Sequence, residues 1–292
     1  MLTRPRLGAH MSIAGGLHLA LERGHAIGCE TIQLFTRNNV RWKAAPRTEE
    51  ELALYRETQK KTGIEPVVAH AIYLINLAAP DKRVHSLSNA AFRDELARCH
   101  EAGIPYLVLH PGSHKGSGLE AGIKRIAEGI RSAYADHPEY RVVTLLENTA
   151  GQGDTIGCTF EELARIAELV GDVPLGYCLD TAHALASGYD IRNGEGYESV
   201  LAEFDRTLGL DKLYCLHLND SKTELNARRD RHEQIGQGHV GLEAFRLLLN
   251  DARLAGRPML LETPKSDDLH EDVENLALLR SLIAKPGDAW GG

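Results

Sequence analysis

The chain has 292 residues, with 33 Lys and Arg against 41 Asp and Glu, a formal net charge of −8. Hydrophobic residues make up 43% and charged residues 25%, an ordinary globular composition that excludes a disordered tail, a collagen-like chain and a disulfide-stapled miniprotein. The acidic balance argues against an indiscriminate polyanion binder but leaves room for a nucleic-acid enzyme with a local basic rim.

Met1–Arg6 lacks the apolar core of a signal peptide. Short apolar runs then recur at Arg6–His10, Thr31–Phe35, Pro66–His70, Tyr106–His110, Val142–Glu147, Leu175–Asp180, Leu213–His217 and Pro258–Glu262. Each is bounded by Gly, Pro or polar residues, which predicts buried parallel strands. Helical segments lie between them. Thr48 with Glu51 predicts a capping box closed by Gly63, and Thr159 with Glu162 repeats it, closed by Gly171. Ser88–Gly103 and Gly241–Leu254 also read as helices. Eight strands alternating with helices in under 300 residues predict an α/β fold, a (β/α)₈ TIM barrel over residues 1–286 with a short tail over 287–292. An open doubly wound sheet is the alternative, weakened because no G-x-G-x-x-G follows the first strand. The five cysteines are odd in number and lack C-x-x-C spacing, which predicts reduced thiols and a cytoplasmic protein. No run approaches the ~18 apolar residues of a membrane span.

Barrel active sites sit at the C-terminal ends of the strands. Seven of the eight runs end in a side chain able to bind metal: His10, His70, His110, Glu147, Asp180, His217 and Glu262. One strand-end histidine taken singly reads as a satisfied core residue. A ring of them does not, because crowded imidazoles and carboxylates cost several kcal/mol without a counter-cation. Alternation places Cys178, Cys215 and Leu260 on the same inward face, two residues earlier, as barrel filling. His183 lies one turn past Asp180, and Asp230 and His232 flank Arg231 so that both can grip one ion. The ligand set is His70, His110, Glu147, Asp180, His183, His217, Asp230, His232 and Glu262. Nine N and O donors are too many for one ion; two could use them and three fit better, the set suits Zn²⁺, Mn²⁺ or Fe²⁺, and Cys178 and Cys215 read as filling below the metals. Basic residues cluster beside the same mouth: Arg37, Arg41, Lys43 and Arg47; Lys222, Arg228, Arg229 and Arg231; and Lys265.

Longer motifs carry a family resemblance. They are Leu7-Gly8-Ala9-His10-Met11-Ser12 with Ala14-Gly15-Gly16-Leu17, Leu34-Phe35-Thr36-Arg37-Asn38, Tyr73-Leu74-Ile75-Asn76-Leu77, and His110-Pro111-Gly112-Ser113-His114. Further along stand Glu147-Asn148-Thr149-Ala150-Gly151-Gln152-Gly153, Asp180-Thr181-Ala182-His183, His217-Leu218-Asn219-Asp220-Ser221-Lys222, Asp230-Arg231-His232 and Leu261-Glu262-Thr263. The chain resembles endonuclease IV, the metal-dependent apurinic/apyrimidinic endonuclease family, over nearly its whole length. The resemblance implies a monomeric DNA-repair enzyme with three Zn²⁺ on a TIM barrel. It implies cleavage 5′ to abasic sites in duplex DNA, leaving a 3′-hydroxyl and a 5′-deoxyribose phosphate, with trimming of blocked 3′ ends by a hydroxide formed at the metals. By position, His70 and His110 hold the first metal. Glu147 bridges it to a second, completed by Asp180, His217 and Glu262, while His183, Asp230 and His232 hold the third. Glu147 and Glu262 take the catalytic role. Tyr73 and Leu74 wedge into the space left by the missing base. Arg37, Asn38, Arg41, His114, Lys222 and Arg231 contact DNA. Departures from the family pattern are Ala71-Ile72 in place of Asp-Ser, Val40 in place of an Arg, and Glu233-Gln234 after the third ligand motif. A sugar isomerase or epimerase on a related barrel, and a damage-binding barrel without chemistry, are the rival readings. The isomerase needs neither nine ligands nor a basic rim.

Overall fold

Eight parallel strands form the frame of the computed structural model, which describes residues 4–284. They are β1 (Arg6–His10), β2 (Thr31–Phe35), β3 (Val67–His70), β4 (Tyr106–Leu109), β5 (Val143–Glu147), β6 (Leu175–Asp180), β7 (Leu213–His217) and β8 (Pro258–Leu261). The strands pair in sequence order, and β8 returns to β1 with Arg6 beside Pro258, closing the barrel. The open-sheet alternative is therefore set aside, and the expected barrel class holds. His110 and Glu262 fall one residue beyond the paired strands, where the chain turns out toward the mouth. The expected tail over 287–292 lies outside the described residues.

The outer ring is α1 (Leu17–Ala26), α2 (Glu49–Thr62), α3 (Lys82–Ala102), α4 (Leu119–Ala135), α5 (Phe160–Val170), α6 (Thr181–Ser187), α7 (Gly194–Leu208), α8 (Leu242–Asn250) and α9 (His270–Ser281). Local chemistry sets their ends. Thr48 and Glu51 form the reciprocal capping box, and Gly63 ends α2 in the left-handed region at φ 69°. Thr159 caps α5, but the Glu162 carboxylate turns to the backbone N–H groups of Gly157 and Cys158 instead of completing the box. Helix α3 starts six residues before Ser88 because the Asp81 carboxylate accepts from Val84 N at 2.8 Å. Helix α8 stops at Asn250, and a separate 3₁₀ turn covers Ala252–Leu254, capped by Asp251.

Two apolar layers result. Val68, Val108, Leu145, Cys178, Cys215 and Leu260 fill the barrel interior. Each stands two residues before a polar residue at the mouth, so strand alternation puts that polar group directly above the filling. The second layer, including Leu7, Ile32, Phe92, Phe160, Phe204 and Phe245, packs between strands and helices. All five cysteines are buried and free. No helix among the described residues is long and apolar enough to cross a membrane.

Candidate metal centre

Strand register assembles the site. Asp180 on β6 pairs with His217 on β7, and Leu260 on β8 pairs with the same His217 one residue before Leu261 leads to Glu262. Asp180 also caps α6: its Oδ1 accepts from His183 N at 2.7 Å, which leaves Oδ2 turned inward. The short strand His232–Glu233 pairs antiparallel with Asp220–Ser221, aiming His232 at the centre while Arg231 faces solvent. The Gln152 carboxamide accepts from Asp230 N at 3.1 Å and fixes that segment over the mouth.

The structure brings all nine sequence-selected groups into one cluster. Ligand atoms of His70, His110 and Glu147 lie within 4.8 Å of one another, as do those of Glu147, Asp180, His217 and Glu262, and those of Asp180, His183 and His232. Glu147 and Asp180 each belong to two of these groups. Asp230 Oδ1 lies 3.3 Å from His183 Nε2 and 3.4 Å from His232 Nε2. Glu147, Asp180 and His217 are fully buried, while His110 and Asp230 form the partly exposed rim.

Four imidazoles have one nitrogen tied outside the cluster and the other facing into it. The Nδ1–H groups of His70, His183 and His232 donate to the carbonyls of Ala71 (2.7 Å), Asn148 (3.0 Å) and Glu262 (3.2 Å). His217 is the reverse: Nε2–H donates to the Gln33 carboxamide oxygen at 2.8 Å, and Nδ1 faces Glu147 at 3.1 Å and Glu262 at 3.2 Å. His70 is held by a backbone carbonyl, so Ala71 orients it without the acidic side chain of the family pattern.

Electrostatics favour a cation here. Burial alone would lower the His217 pKa, but the carboxylates of Glu262 and Glu147 outweigh it and hold it well above the imidazole range. Burial likewise opposes protonation of His183, and the Asp180 charge reverses the sign. Burial would raise Glu147, but the His110 and His217 imidazoles hold it well below the usual carboxylate range. Glu262 is lowered against burial, chiefly by His217. Protons thus stand where cations would. His183 Nε2 and His232 Nε2 are buried and have no hydrogen-bond partner. Unpartnered ring nitrogens beside carboxylates, with nitrogens behind them anchored on carbonyls, fit a cluster of divalent ions that would displace those protons. The Cys178 and Cys215 thiols also approach His217, but they belong to the apolar filling, and both His217 nitrogens are already engaged elsewhere.

The rim residues divide. Tyr73 is 63% exposed and stands edge-on to Phe35 with ring centroids 5.4 Å apart, and Leu74 is half-buried beside it. Asn38, Arg41, Lys222 and Arg231 are exposed, and His114 is half-buried with an unpartnered Nδ1. The expected DNA contact at Arg37 is corrected. Its side chain is 2% exposed, its Nε donates to Glu95 Oε1 at 2.9 Å, and its Nη1 donates to Asp94 Oδ2 at 2.9 Å. The guanidinium is spent inside the fold, where it also holds the Trp42 carbonyl at 3.1 Å. Arg47 turns inward to the Thr36 carbonyl, and Lys265 pairs with buried Asp272 at 2.6 Å, so the basic rim is thinner than the count of cations suggests.

Three buried polar residues escaped the sequence reading. Gln33 bridges His217, Glu262 and His10. Asn148 clamps the Asp180 backbone through both ends of its carboxamide. Asn219 donates to Asp180 Oδ2 at 2.6 Å and accepts from Glu262 N at 2.8 Å. A lone Gln at an inward position of an apolar strand was the available signal for the first. Gln234, which departs from the family pattern, braces Pro264 and Asn275.

Comparison with known proteins gives the family of the chain. Residues 21–282 match the family model described as "Xylose isomerase-like TIM barrel". A Chloroflexus aurantiacus protein named "Probable endonuclease 4" is 51% identical over 280 residues, 96% of this chain and 98% of its own. A Geobacter sulfurreducens protein of the same name is also 51% identical, over 96% of this chain and 95% of its own. The crystal structure of endonuclease IV from Thermus thermophilus superposes with a TM-score of 0.85 at 38% identity, covering 95% of this chain and 98% of that one. A D-tagatose 3-epimerase-like protein reaches a TM-score of 0.69 at 18% identity, a likeness of fold alone. Extended identity at this level, together with the barrel and its mouth, shows that the chain belongs to the endonuclease IV family of nucleases.

Proposed function

We propose that the chain hydrolyses the phosphodiester on the 5′ side of abasic sites in duplex DNA, leaving a 3′-hydroxyl and a 5′-deoxyribose phosphate, and that it trims blocked 3′ ends. The observation that carries this reading is the convergence of nine nitrogen and oxygen ligands at one mouth, with Nε2 of His183 and of His232 buried there without a hydrogen-bond partner. His70, His110 and Glu147 would hold one ion, Glu147, Asp180, His217 and Glu262 a second, and His183, Asp230 and His232 a third, with Zn²⁺ the first choice and Mn²⁺ or Fe²⁺ alternatives. Bound there, such ions supply an acidified water, neutralise charge at phosphorus and stabilise the departing 3′ oxygen.

The chain's own groups do the rest. The lowered pKa values of Glu147 and Glu262 keep both carboxylates ionised at neutral pH, so their oxygens remain acceptors at the floor of the mouth. These two are the catalytic carboxylates. Tyr73, which meets Phe35 edge-on and His70 at a tilt, and Leu74 beside it fill the gap in the base stack. A missing base lowers the cost of turning the sugar out, which favours the damaged site. A groove of about 710 Å³ runs from Tyr73 and Leu74 past His110 to Asp230 and Arg231, with Lys115 on its wall. Asn38 and Arg41 on one side of the mouth, and His114, Lys222 and Arg231 on the other, contact the backbone of the duplex. The enzyme works as a monomer in the cytoplasm, on the nucleoid DNA.

The test is a duplex carrying a single abasic site, incubated with metal-replete protein. A nick immediately 5′ to the site is expected. Ketose turnover without nicking would favour the epimerase reading. Tight binding with no nick would favour a barrel that has lost its chemistry.

A further inference from the structure

Gln33 lies on β2 with its side chain inside the barrel mouth and no solvent exposure. Its backbone is in register with His10 on β1 and Val68 on β3, yet its carboxamide spans to β7 and β8. The Oε1 atom accepts from His217 Nε2 at 2.8 Å. The two hydrogens on Nε2 are directed to Glu262 Oε1 and to His10 Nδ1, the latter at 3.0 Å. We propose that Gln33 is a positioning residue of the metal centre: its carboxamide fixes the proton of His217 on Nε2, presents Nδ1 to the metal, and holds one oxygen of Glu262 so that the other faces the same ion.

The polarity of the amide is forced. Turned over, it would set its carbonyl oxygen against the Glu262 carboxylate, two acceptors with no proton between them. In the observed sense, the amide uses one acceptor and both donors. His217 is also the imidazole that needs such help. His70, His183 and His232 park Nδ1–H on backbone carbonyls. His217 points the opposite nitrogen inward, and the acceptor behind it is a side chain. Without that acceptor the ring would lose its preference for the Nε2–H tautomer, and Glu262 Oε1 would lose its donor.

The inference rests on the metal-ligand reading of the proposed function. The test is zinc titration against a chromophoric chelator, with ¹⁵N–¹H spectra of the imidazoles in the zinc-loaded protein. The Gln33→Leu variant keeps the volume and removes the amide. One zinc should bind 10–100-fold more weakly, the others unchanged, as expected for loss of a partner behind a ligand. The wild type should show the His217 proton on Nε2, and Gln33→Leu should lose that single resonance. With DNA, kcat should fall while KM stays. Should Gln33→Leu fail to fold, Gln33→Met carries the test, because its unbranched side chain matches the length of Gln and likewise removes the acceptor, so it should show the same weakened zinc and the same lost resonance. Wild-type zinc affinity in Gln33→Leu or Gln33→Met, a proton on Nδ1 in the wild type, or an unchanged His217 Nε2–H resonance in either variant would each overturn the inference. A wild type that binds no zinc would remove the metal reading and this inference with it. Normal zinc binding with an indifferent Gln33→Leu removes this inference alone.

Discussion

Replacing Arg37 by Met tests whether this cation serves the fold or the substrate. The guanidinium faces Glu95 Oε1 at 2.9 Å, with the two side chains 2% and 0% exposed. The Asp94 contact, also 2.9 Å, involves a carboxylate 38% exposed, so it adds about 0–1 kcal/mol at most. Removing one partner of a buried pair strands the other, at a cost of roughly 3–5 kcal/mol. On a chain this size that corresponds to a fall in Tm on the order of 10 °C. Burial already pushes the Glu95 carboxyl up against the opposing charge of Arg37, so in the variant Glu95 takes up a proton more readily. The penalty should therefore shrink as pH falls from 7 toward 5. Urea unfolding of metal-loaded protein followed by circular dichroism at both pH values reads the effect, and Arg37→Met combined with Glu95→Met should recover part of it. A cost below about 1 kcal/mol, or unchanged stability with a reduced salt dependence of DNA binding, would refute the internal role and return Arg37 to the phosphate contacts.

Glu147→Gln and Glu262→Gln should each lower nicking by more than about 100-fold, since loss of a partner behind a ligand already costs 10–100-fold, with unchanged circular dichroism; near-normal rates would remove either carboxylate from the chemistry. Chelation should expose a pH dependence. His183 and His217 have folded-state pKa values raised above 6.5, so their stabilisation is complete below that pH and is lost as pH rises through the raised values. Glu147 and Glu262 are lowered below 4.5, so theirs is complete above that pH and is lost as pH falls through the lowered values. Chelated protein should thus melt at progressively lower temperature from pH 6.5 to 9, while metal-loaded protein does not; parallel profiles would contradict the cluster's charge balance. Arg41→Ala, Lys222→Ala and Arg231→Ala should each reduce the slope of log K against log salt by about 0.9, and unchanged slopes would remove them from the phosphate contacts.

Most of the frame is legible along the chain. Strand alternation put Cys178, Cys215 and Leu260 beneath Asp180, His217 and Glu262, and the barrel rule put those polar groups at one mouth, so the six strand-end ligands follow from periodicity, while His183, Asp230 and His232 reach the cluster from segments beyond the strands. Thr48 and Glu51 announce α2 because a capping box is a contact between residues three apart. The fates of Arg37 and Gln33 were settled elsewhere. Glu95 lies 58 residues beyond Arg37, and Glu262 lies 229 beyond Gln33. A charge near a mouth looks the same in sequence whether it meets solvent or a buried carboxylate, and only closure of the barrel against α3 decided which. The same closure chose the nitrogen each imidazole turns inward, because that choice depends on the acceptor standing behind the ring, and in His217 the acceptor arrives from a strand on the far side of β8 and β1.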